Sequence, residues 1–127
     1  MGMLGMHGLY EANMAMHGCD LMINVGARFD DRITGRIDAF SPGSMKAHID
    51  IDPSSINKVI HVDVPIIGDV AHVLEALLDT WTANGSKTDK DGVGKWWAQI
   101  DEWRKTRCLD YKQGEKIIKP QLSLIHI

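Results

Sequence analysis

The sequence predicts an α/β fold that forms part of a doubly wound parallel sheet. Strand-like segments alternate with helix-like segments along the 127 residues, which is the order expected when helices connect parallel strands. Polar residues directly follow three of the strand-like runs, at the edge where this architecture binds ligands. With 44% hydrophobic residues, the chain can bury one modest core and is too short for two ordinary domains.

The first predicted elements are a strand, a helix and a second strand. Residues 1–8, MGMLGMHG, form a short apolar run ended by glycines and are predicted as strand. Residues 10–19, YEANMAMHGC, combine good helix formers with small apolar residues on one face, and Gly18 suits a helix end. Residues 20–26, DLMINVG, predict a buried strand because almost no polar face remains.

Two further strands follow a long charged segment. The excursion at 27–43, ARFDDRITGRIDAFSPG, closes in a Pro-Gly turn. Residues 46–52, KAHIDID, predict a strand, and PSSINK at 53–58 predicts a turn with one helical turn after Pro53. Residues 62–69, VDVPIIGD, predict another strand, in which Pro65 favours an edge position.

The second half of the chain predicts two helices joined by a linker. Asp69 is the expected N-cap of an amphipathic helix. Its apolar positions are Val70, Val73, Leu74, Leu77, Leu78 and Trp81. Polar, glycine-bearing residues 84–94 predict a linker. A stripe of apolar residues at Val93, Trp96, Trp97, Ile100 and Trp103 predicts the next helix, whose tryptophans would anchor it against a neighbouring domain. Residues 112–121 predict an exit segment.

Composition excludes several classes of function. The formal charge of -3 is spread along the chain, so neither nucleic acid nor a membrane surface is an expected partner. No apolar run approaches the roughly 20 residues of a membrane span and no leader pattern opens the sequence, so we expect a cytoplasmic protein. Cys19 and Cys108 are far apart and are interpreted as reduced thiols. The scattered histidines show no metal-ligand spacing and are interpreted as surface or satisfied core residues, His7 excepted.

The strand ends suggest a nucleotide-like cofactor. Gly26 and Gly68 would let a phosphate approach the backbone, Arg28 could neutralise it, and Asp50 or Asp69 could hold a ribose hydroxyl. Spacing alone does not identify the ligand, since neither GxGxxG nor GxxxxGK[ST] occurs. The charge pattern by itself would also fit a solvated salt-bridge loop.

Six motifs share one family resemblance. They are GMLGMHG with YEANMAMH, VGARFDDRITGR, HIDIDPSSINK, VPIIGDV, WWAQIDEWR and KPQ. In order and spacing they resemble the catalytic subunit of acetolactate synthase (acetohydroxyacid synthase), bacterial biosynthetic type, over residues 1–121. The resemblance implies the central domain of thiamine-diphosphate-dependent enzymes, of the DHS-like NAD/FAD-binding type.

The resemblance also implies an activity. Enzymes of this family use thiamine diphosphate and Mg²⁺ to decarboxylate pyruvate and join the two-carbon fragment to pyruvate or 2-oxobutyrate. This makes acetohydroxy acids for valine, leucine and isoleucine biosynthesis. They hold FAD without redox turnover, form homodimers or homotetramers, and associate with a small regulatory subunit. Alternatives are another thiamine-diphosphate enzyme, of pyruvate oxidase or glyoxylate carboligase type, or a non-catalytic nucleotide-binding module.

Site residues follow from the resemblance by matching positions. The implied FAD contacts are Leu4, Gly5, Met6, His7, Gly26, Ala27, Arg28, Phe29, Asp30, Asp50, Ile51, Asp69 and Val70. Asp31 and Arg32 match positions at the entrance of the active-site channel, where inhibitors bind. The family's catalytic glutamate and Mg²⁺ motif belong to other domains, so no residue here is assigned a catalytic or metal role. Leu9 stands where the family commonly has Thr, which removes a helix-capping hydroxyl.

The resemblance also predicts three regions. Residues 1–83 would be the later part of the central FAD-binding domain, and residues 84–121 the linker and helix toward a C-terminal thiamine-diphosphate domain. Residues 122–127, LSLIHI, match nothing in the family, and their back-translation resembles a transposon-derived sequencing adapter, so we interpret them as a non-native tail.

Overall fold

The computed structural model describes residues 1–112 and 114–120, and its centre is a parallel sheet of three strands. The strands are β1 (Leu21–Val25), β2 (Met45–Asp50) and β3 (Val64–Ile67). The helices are α1 (Tyr10–Gly18), α2 (Asp31–Thr34), α3 (Val70–Ala83) and α4 (Lys90–Arg104), with 3₁₀ turns at Ile37–Ala39 and Pro53–Ser55. None of the helices in the described ranges has the length and apolar character needed to span a membrane. The predicted non-native tail lies outside these residues.

The sheet confirms the α/β prediction. Its strand order is β1-β2-β3, with Leu21 beside Met45 and Ala47 beside Val64. Each crossover passes through the excursion or the loop after β2, as parallel pairing requires. Pro65 lies in β3, which is an edge strand of the described sheet, as predicted.

The predicted N-terminal strand is wrong. Residues 1–9 form turns, in which the Leu9 amide donates to the Met3 carbonyl and the Gly8 amide to the Gly5 carbonyl, both at 2.9 Å. Gly2 and Gly5 have φ values of 109° and 88°, which extended strands do not use. The glycines therefore fold this apolar run back on itself.

The prediction that β1 is buried on both faces is also wrong. Leu21, Ile23 and Val25 are 50%, 55% and 40% exposed, whereas the alternate residues Met22 and Asn24 are half-buried. A strand shows this alternation when only one of its faces is covered. Within the described chain, β1 is thus an edge strand with one open face.

The core lies on the other face and is built by the charged excursion together with the loop between β2 and β3. Its buried members are Phe29, Phe40, Ile60 and Val62, with Met16, Met22, Ile33 and Ile56 packed against them. The two phenylalanine rings meet edge to face, with centroids 5.8 Å apart. Ser41 ties this layer to α1, because its hydroxyl donates to the Met16 carbonyl at 2.8 Å. Apolar residues of the charged excursion and of the loop after β2 therefore build the core together.

Helix α4 begins at Lys90, inside the predicted linker. Asp89 starts it by accepting a hydrogen bond from the Gly92 amide at 3.0 Å. The tryptophan stripe was expected to face another domain, but Trp96 and Trp103 meet edge to face beside Gly18 of α1. Ile100 of α4 is fully buried, whereas Trp97 stays half exposed. The helix is therefore anchored on α1.

Helix α3 confirms its predicted start but not a buried face. Asp69 caps it by accepting from the amides of Ala71 and His72, at 3.0 and 3.3 Å. Every residue of α3 remains at least partly exposed. The most exposed of its apolar side chains are Leu78 and Trp81.

Candidate functional site

The carboxyl ends of the three strands lie side by side. The Gly26 amide after β1 donates to the Ile49 carbonyl at 2.8 Å, and the Gly68 amide after β3 donates to the Asp50 carbonyl at 3.0 Å. These bonds place the three predicted cofactor segments along one edge of the sheet. In parallel sheets this edge is where ligands bind.

The loop after β1 is open and charged. Gly26 has φ of 61°, and a side chain added there would meet nothing within 4 Å. Arg28 points into solvent and its guanidinium lies 3.4 Å from the Asp30 carboxylate. Phe29 differs from its neighbours, because its side chain is buried in the core. Only its backbone can therefore face a ligand at this edge.

The loop after β2 is organised by two aspartates. Asp50 is buried, and its Oδ1 accepts from the Asp52 amide at 2.9 Å. Asp52 accepts from the Ser54 amide and hydroxyl at 2.9 and 2.8 Å. These hydrogen bonds stabilise the ionised form and lower the pKa of Asp52. Ile51 is exposed between the aspartates, so this loop presents one apolar side chain and a largely buried carboxylate.

Asp69 and Val70 lie at the start of α3, after β3. The Asp69 carboxylate caps the helix through one oxygen, Oδ1. It is exposed and lies 3.9 Å from the His72 ring. The other carboxylate oxygen remains able to accept from a ligand.

The N-terminal turns dock on the β1 loop. The Met6 amide donates to the Arg32 carbonyl at 2.9 Å, and a side chain at Gly5 would lie 2.3 Å from that same oxygen. Asn13 fixes the turn from α1, by exchanging hydrogen bonds with the Gly5 backbone at 2.8 and 2.9 Å. Only glycine therefore allows this close approach.

A cavity of about 370 Å³ opens where the two segments meet. It is lined by Gly2, Met3, Leu4, His7, Asp30, Arg32 and Ile33. It therefore joins residues expected to touch FAD with one expected at the channel entrance. The other channel residue, Asp31, is exposed at the start of α2, with its carboxylate 3.9 Å from the Arg32 guanidinium. A neighbouring apolar cavity of about 410 Å³ is also lined by Leu4, Phe29 and Ala27.

In residues 1–112 and 114–120, no three His, Cys, Asp or Glu side chains are grouped so that they could hold a metal ion. Cys19 and Cys108 are both free thiols, as predicted. A larger cavity of about 640 Å³ between α1 and α4 is lined by none of the predicted cofactor residues.

His48 is the residue that sequence reasoning missed. Its sequence context indicates a surface or satisfied core histidine, but it is fully buried and neither ring nitrogen has a hydrogen-bond partner within the part of the chain that the structure describes. The sequence did contain a signal that His48 lies on the same face as Asp50. His48 comes two residues before Asp50 in the strand KAHIDID, and alternate residues of a strand share a face.

Comparison with known proteins identifies relatives that match most of the chain. The family model for the thiamine pyrophosphate enzyme central domain matches residues 1–77. The acetolactate synthase isozyme 3 large subunit of Escherichia coli (strain K12) is 46% identical over 121 residues, covering 95% of this chain and 21% of that protein. The acetolactate synthase large subunit of Haemophilus influenzae is 44% identical with the same coverage. The acetolactate synthase of Mycobacterium avium is 43% identical over 87% of this chain and 18% of its own length.

The chain spans about a fifth of the length of the curated relatives it matches. The family model covers more than half of the chain, and its matched region contains all three strands and the loops that follow them. The chain therefore belongs to the thiamine pyrophosphate enzyme central-domain family.

Proposed function

We propose that the chain is part of an acetolactate synthase large subunit, in which it helps to hold FAD. The relatives described above are named acetolactate synthases and match 87–95% of the chain. This favours acetolactate synthase over pyruvate oxidase, glyoxylate carboligase or a free-standing nucleotide-binding module. The intact protein would condense pyruvate with pyruvate or 2-oxobutyrate and release CO₂.

One observation carries the FAD proposal. Two segments separated in sequence, around Leu4 and around Asp30, meet at one cavity beside the strand ends. Open space at Gly26 and the exposed guanidinium of Arg28 suit a diphosphate next to this cavity. Asp69 at the far strand end supplies an acceptor for a ribose hydroxyl.

The residues of this chain would bind and orient FAD rather than perform the reaction. Thiamine diphosphate with Mg²⁺, bound in other domains, would supply the decarboxylation chemistry. Arg28 would neutralise the FAD diphosphate, and Leu4 with Met6 would contact the flavin end. Asp31 and Arg32, exposed beside the cavity, would line the channel to the active site. Oligomerisation of the large subunit and a small regulatory subunit belong to the same proposal.

The test uses the full-length protein, obtained by recovering the complete reading frame. We expect acetolactate formation from pyruvate in the presence of thiamine diphosphate, Mg²⁺ and FAD, with a flavin absorbance spectrum in the purified protein. Replacing Arg28→Ala should weaken FAD binding about tenfold or more, because a charge-assisted contact is lost.

Arg36→Ala is the matched control. Arg36 lies on the same excursion but pairs with Asp38, with the guanidinium 2.7 Å from the carboxylate, and it lines none of the cavities at the strand ends. Its replacement should leave FAD affinity unchanged. A full-length protein that forms no acetolactate, or that binds no flavin, would contradict the proposed function.

A further inference from the structure

His48 is a buried polar residue without an apparent partner. It lies in β2, is fully buried, and neither ring nitrogen is hydrogen-bonded to any residue in the described ranges. Buried polar groups in folded proteins are nearly always paired, and leaving one unpaired is unfavourable. An apolar side chain would fill this space at lower cost, so the imidazole needs a reason beyond packing.

Two neighbours connect His48 to the loops proposed to hold FAD. Its ring packs edge to face against Phe29 of the β1 loop, with ring centroids 5.2 Å apart. Its Nε2 atom faces Oδ2 of Asp50, which opens the β2 loop, at 3.6 Å. That distance is slightly too long for a hydrogen bond. A small shift of either side chain would close the gap.

Asp50 joins the ends of β2 and β3. Its Oδ1 accepts from the Asp52 amide, and its backbone carbonyl accepts from the Gly68 amide. The orientation of this carboxylate therefore sets the path of the loop after β2. Lys46, the other charged residue on this side of β2, is already occupied, because its Nζ donates to the carbonyls of Ser41 and Ser44. His48 is thus the group placed to hold Oδ2.

We propose that His48 is a positioning residue of the FAD site, which donates from Nε2 to Oδ2 of Asp50 and fixes that carboxylate before the cofactor binds. This inference rests on the proposed function. A neutral imidazole with its proton on Nε2 has one donor and one acceptor, so the bond leaves no buried donor unpaired. Fixing the loop in advance reduces the ordering that binding would otherwise require.

The experiment measures FAD affinity of the full-length protein by flavin fluorescence titration. His48→Phe keeps a ring against Phe29 but removes the donor, and we expect the Kd for FAD to rise about tenfold. His48→Gln returns an N–H donor and should restore most of the affinity. His17→Phe, at an exposed histidine of α1, is the matched control and should bind FAD as the wild type does. Thermal unfolding of the FAD-free variants, measured in parallel, separates affinity from stability.

Asp50→Ala tests the same contact from its other partner. It should weaken FAD binding by itself, and His48→Phe should add little in its presence, because the interaction is already absent. Where His48→Phe does not fold, Asp50→Ala alone still tests whether this carboxylate contributes to FAD binding, and wild-type affinity in that variant would overturn the inference.

Five outcomes would overturn the inference. Wild-type affinity in His48→Phe, or in Asp50→Ala, would remove the contact from the site. A Gln variant as weak as the Phe variant would show that ring shape matters instead, and fully additive effects of the two substitutions would show independent roles. A wild-type protein that binds no FAD would overturn the proposed function together with this inference. The variant outcomes, obtained with a wild-type protein that does bind FAD, would overturn the inference alone, so the two failures are distinguishable.

Discussion

The two faces of the sheet differ in how they are covered, although the exposed face of β1 and β2 is the more apolar of the two. One, which we call the closed face, carries Met22 and His48 beneath the buried cluster around Phe29 and Phe40. The other, the open face, carries Leu21, Ile23 and Val25 of β1, which are 40–55% exposed. Ile49 of β2 also lies on the open face but is fully buried. Helix α3 packs against β2, the strand that carries Ile49.

This difference shows which face of the sheet the chain covers with its own residues. The closed face is covered by residues of this chain's own excursion and of its loop after β2, so the strand ends next to it are supported by local partners. The open face exposes a contiguous apolar strip, which is unusual for a surface that stays uncovered. The relatives are about five times longer, so we propose that another segment of the full-length protein covers it.

The largest expected difference is in core truncation. Phe40→Ala on the closed face removes a buried ring, and we expect it to lower the free energy of unfolding by about 3–5 kcal/mol. Ile23→Ala on the open face should lower it by less than about 1 kcal/mol, because half of that side chain is already in water. Urea unfolding of the 127-residue chain measures both. Equal losses would mean that the open face is covered in solution.

A second way to test the comparison is to charge the open face. Ile23→Lys with Val25→Lys should remove most of the binding of the dye 8-anilinonaphthalene-1-sulfonate and reduce light scattering, because both report exposed apolar surface. Ser86→Lys with Thr88→Lys adds the same charge on the exposed polar segment between α3 and α4 and is the control. If both pairs reduce scattering equally, net charge rather than the open face governs association.

The sequence predicted the elements whose signals are local. The spacing of apolar residues and the Asp69 cap located α3, and the run KAHIDID located β2. The prediction for residues 1–8 was wrong, because the φ values of Gly2 and Gly5 and the contact with Arg32 depend on tertiary structure. The early start of α4 at Lys90, capped by Asp89, lay within a polar stretch that lacks the apolar spacing of a helix.

The candidate site residues were predicted by matching motifs. How the fold brings those residues together was not predicted. Residue spacing cannot show that Leu4 and Arg32 line one cavity, since 27 intervening residues must first fold. Nor could charge pattern show that Phe29 turns into the core while Arg28 beside it faces solvent. The unpaired ring of His48 is likewise a property of packing, visible only once Phe29 and Asp50 surround it.

A smaller effect is expected at the cap of α3. Because no residue of α3 is buried, its start depends on Asp69, and Asp69→Ala should lower the free energy of unfolding by about 1 kcal/mol. Asp79→Ala, at an exposed position within the same helix, should change it by less than about 0.5 kcal/mol. Circular dichroism during urea unfolding measures both, and a smaller loss in Asp69→Ala than in Asp79→Ala would contradict the role of the cap.

Helix α1 provides the reverse case, and it gives the smallest expected effect. Leu9 occupies its N-cap position with φ of −76° and ψ of 146°, the conformation that a capping residue adopts, but leucine has no oxygen to accept from the first-turn amides. Leu9→Thr would supply that oxygen, and Leu9→Val is the matched control, with the same branched shape and no hydroxyl. We expect the Thr variant to exceed the Val variant by about 0.5–1 kcal/mol in the free energy of unfolding. Because α1 is already held by its buried Ala12 and Ala15, both variants should still fold. A Val variant as stable as the Thr variant would show that the packing of α1 makes the cap unnecessary.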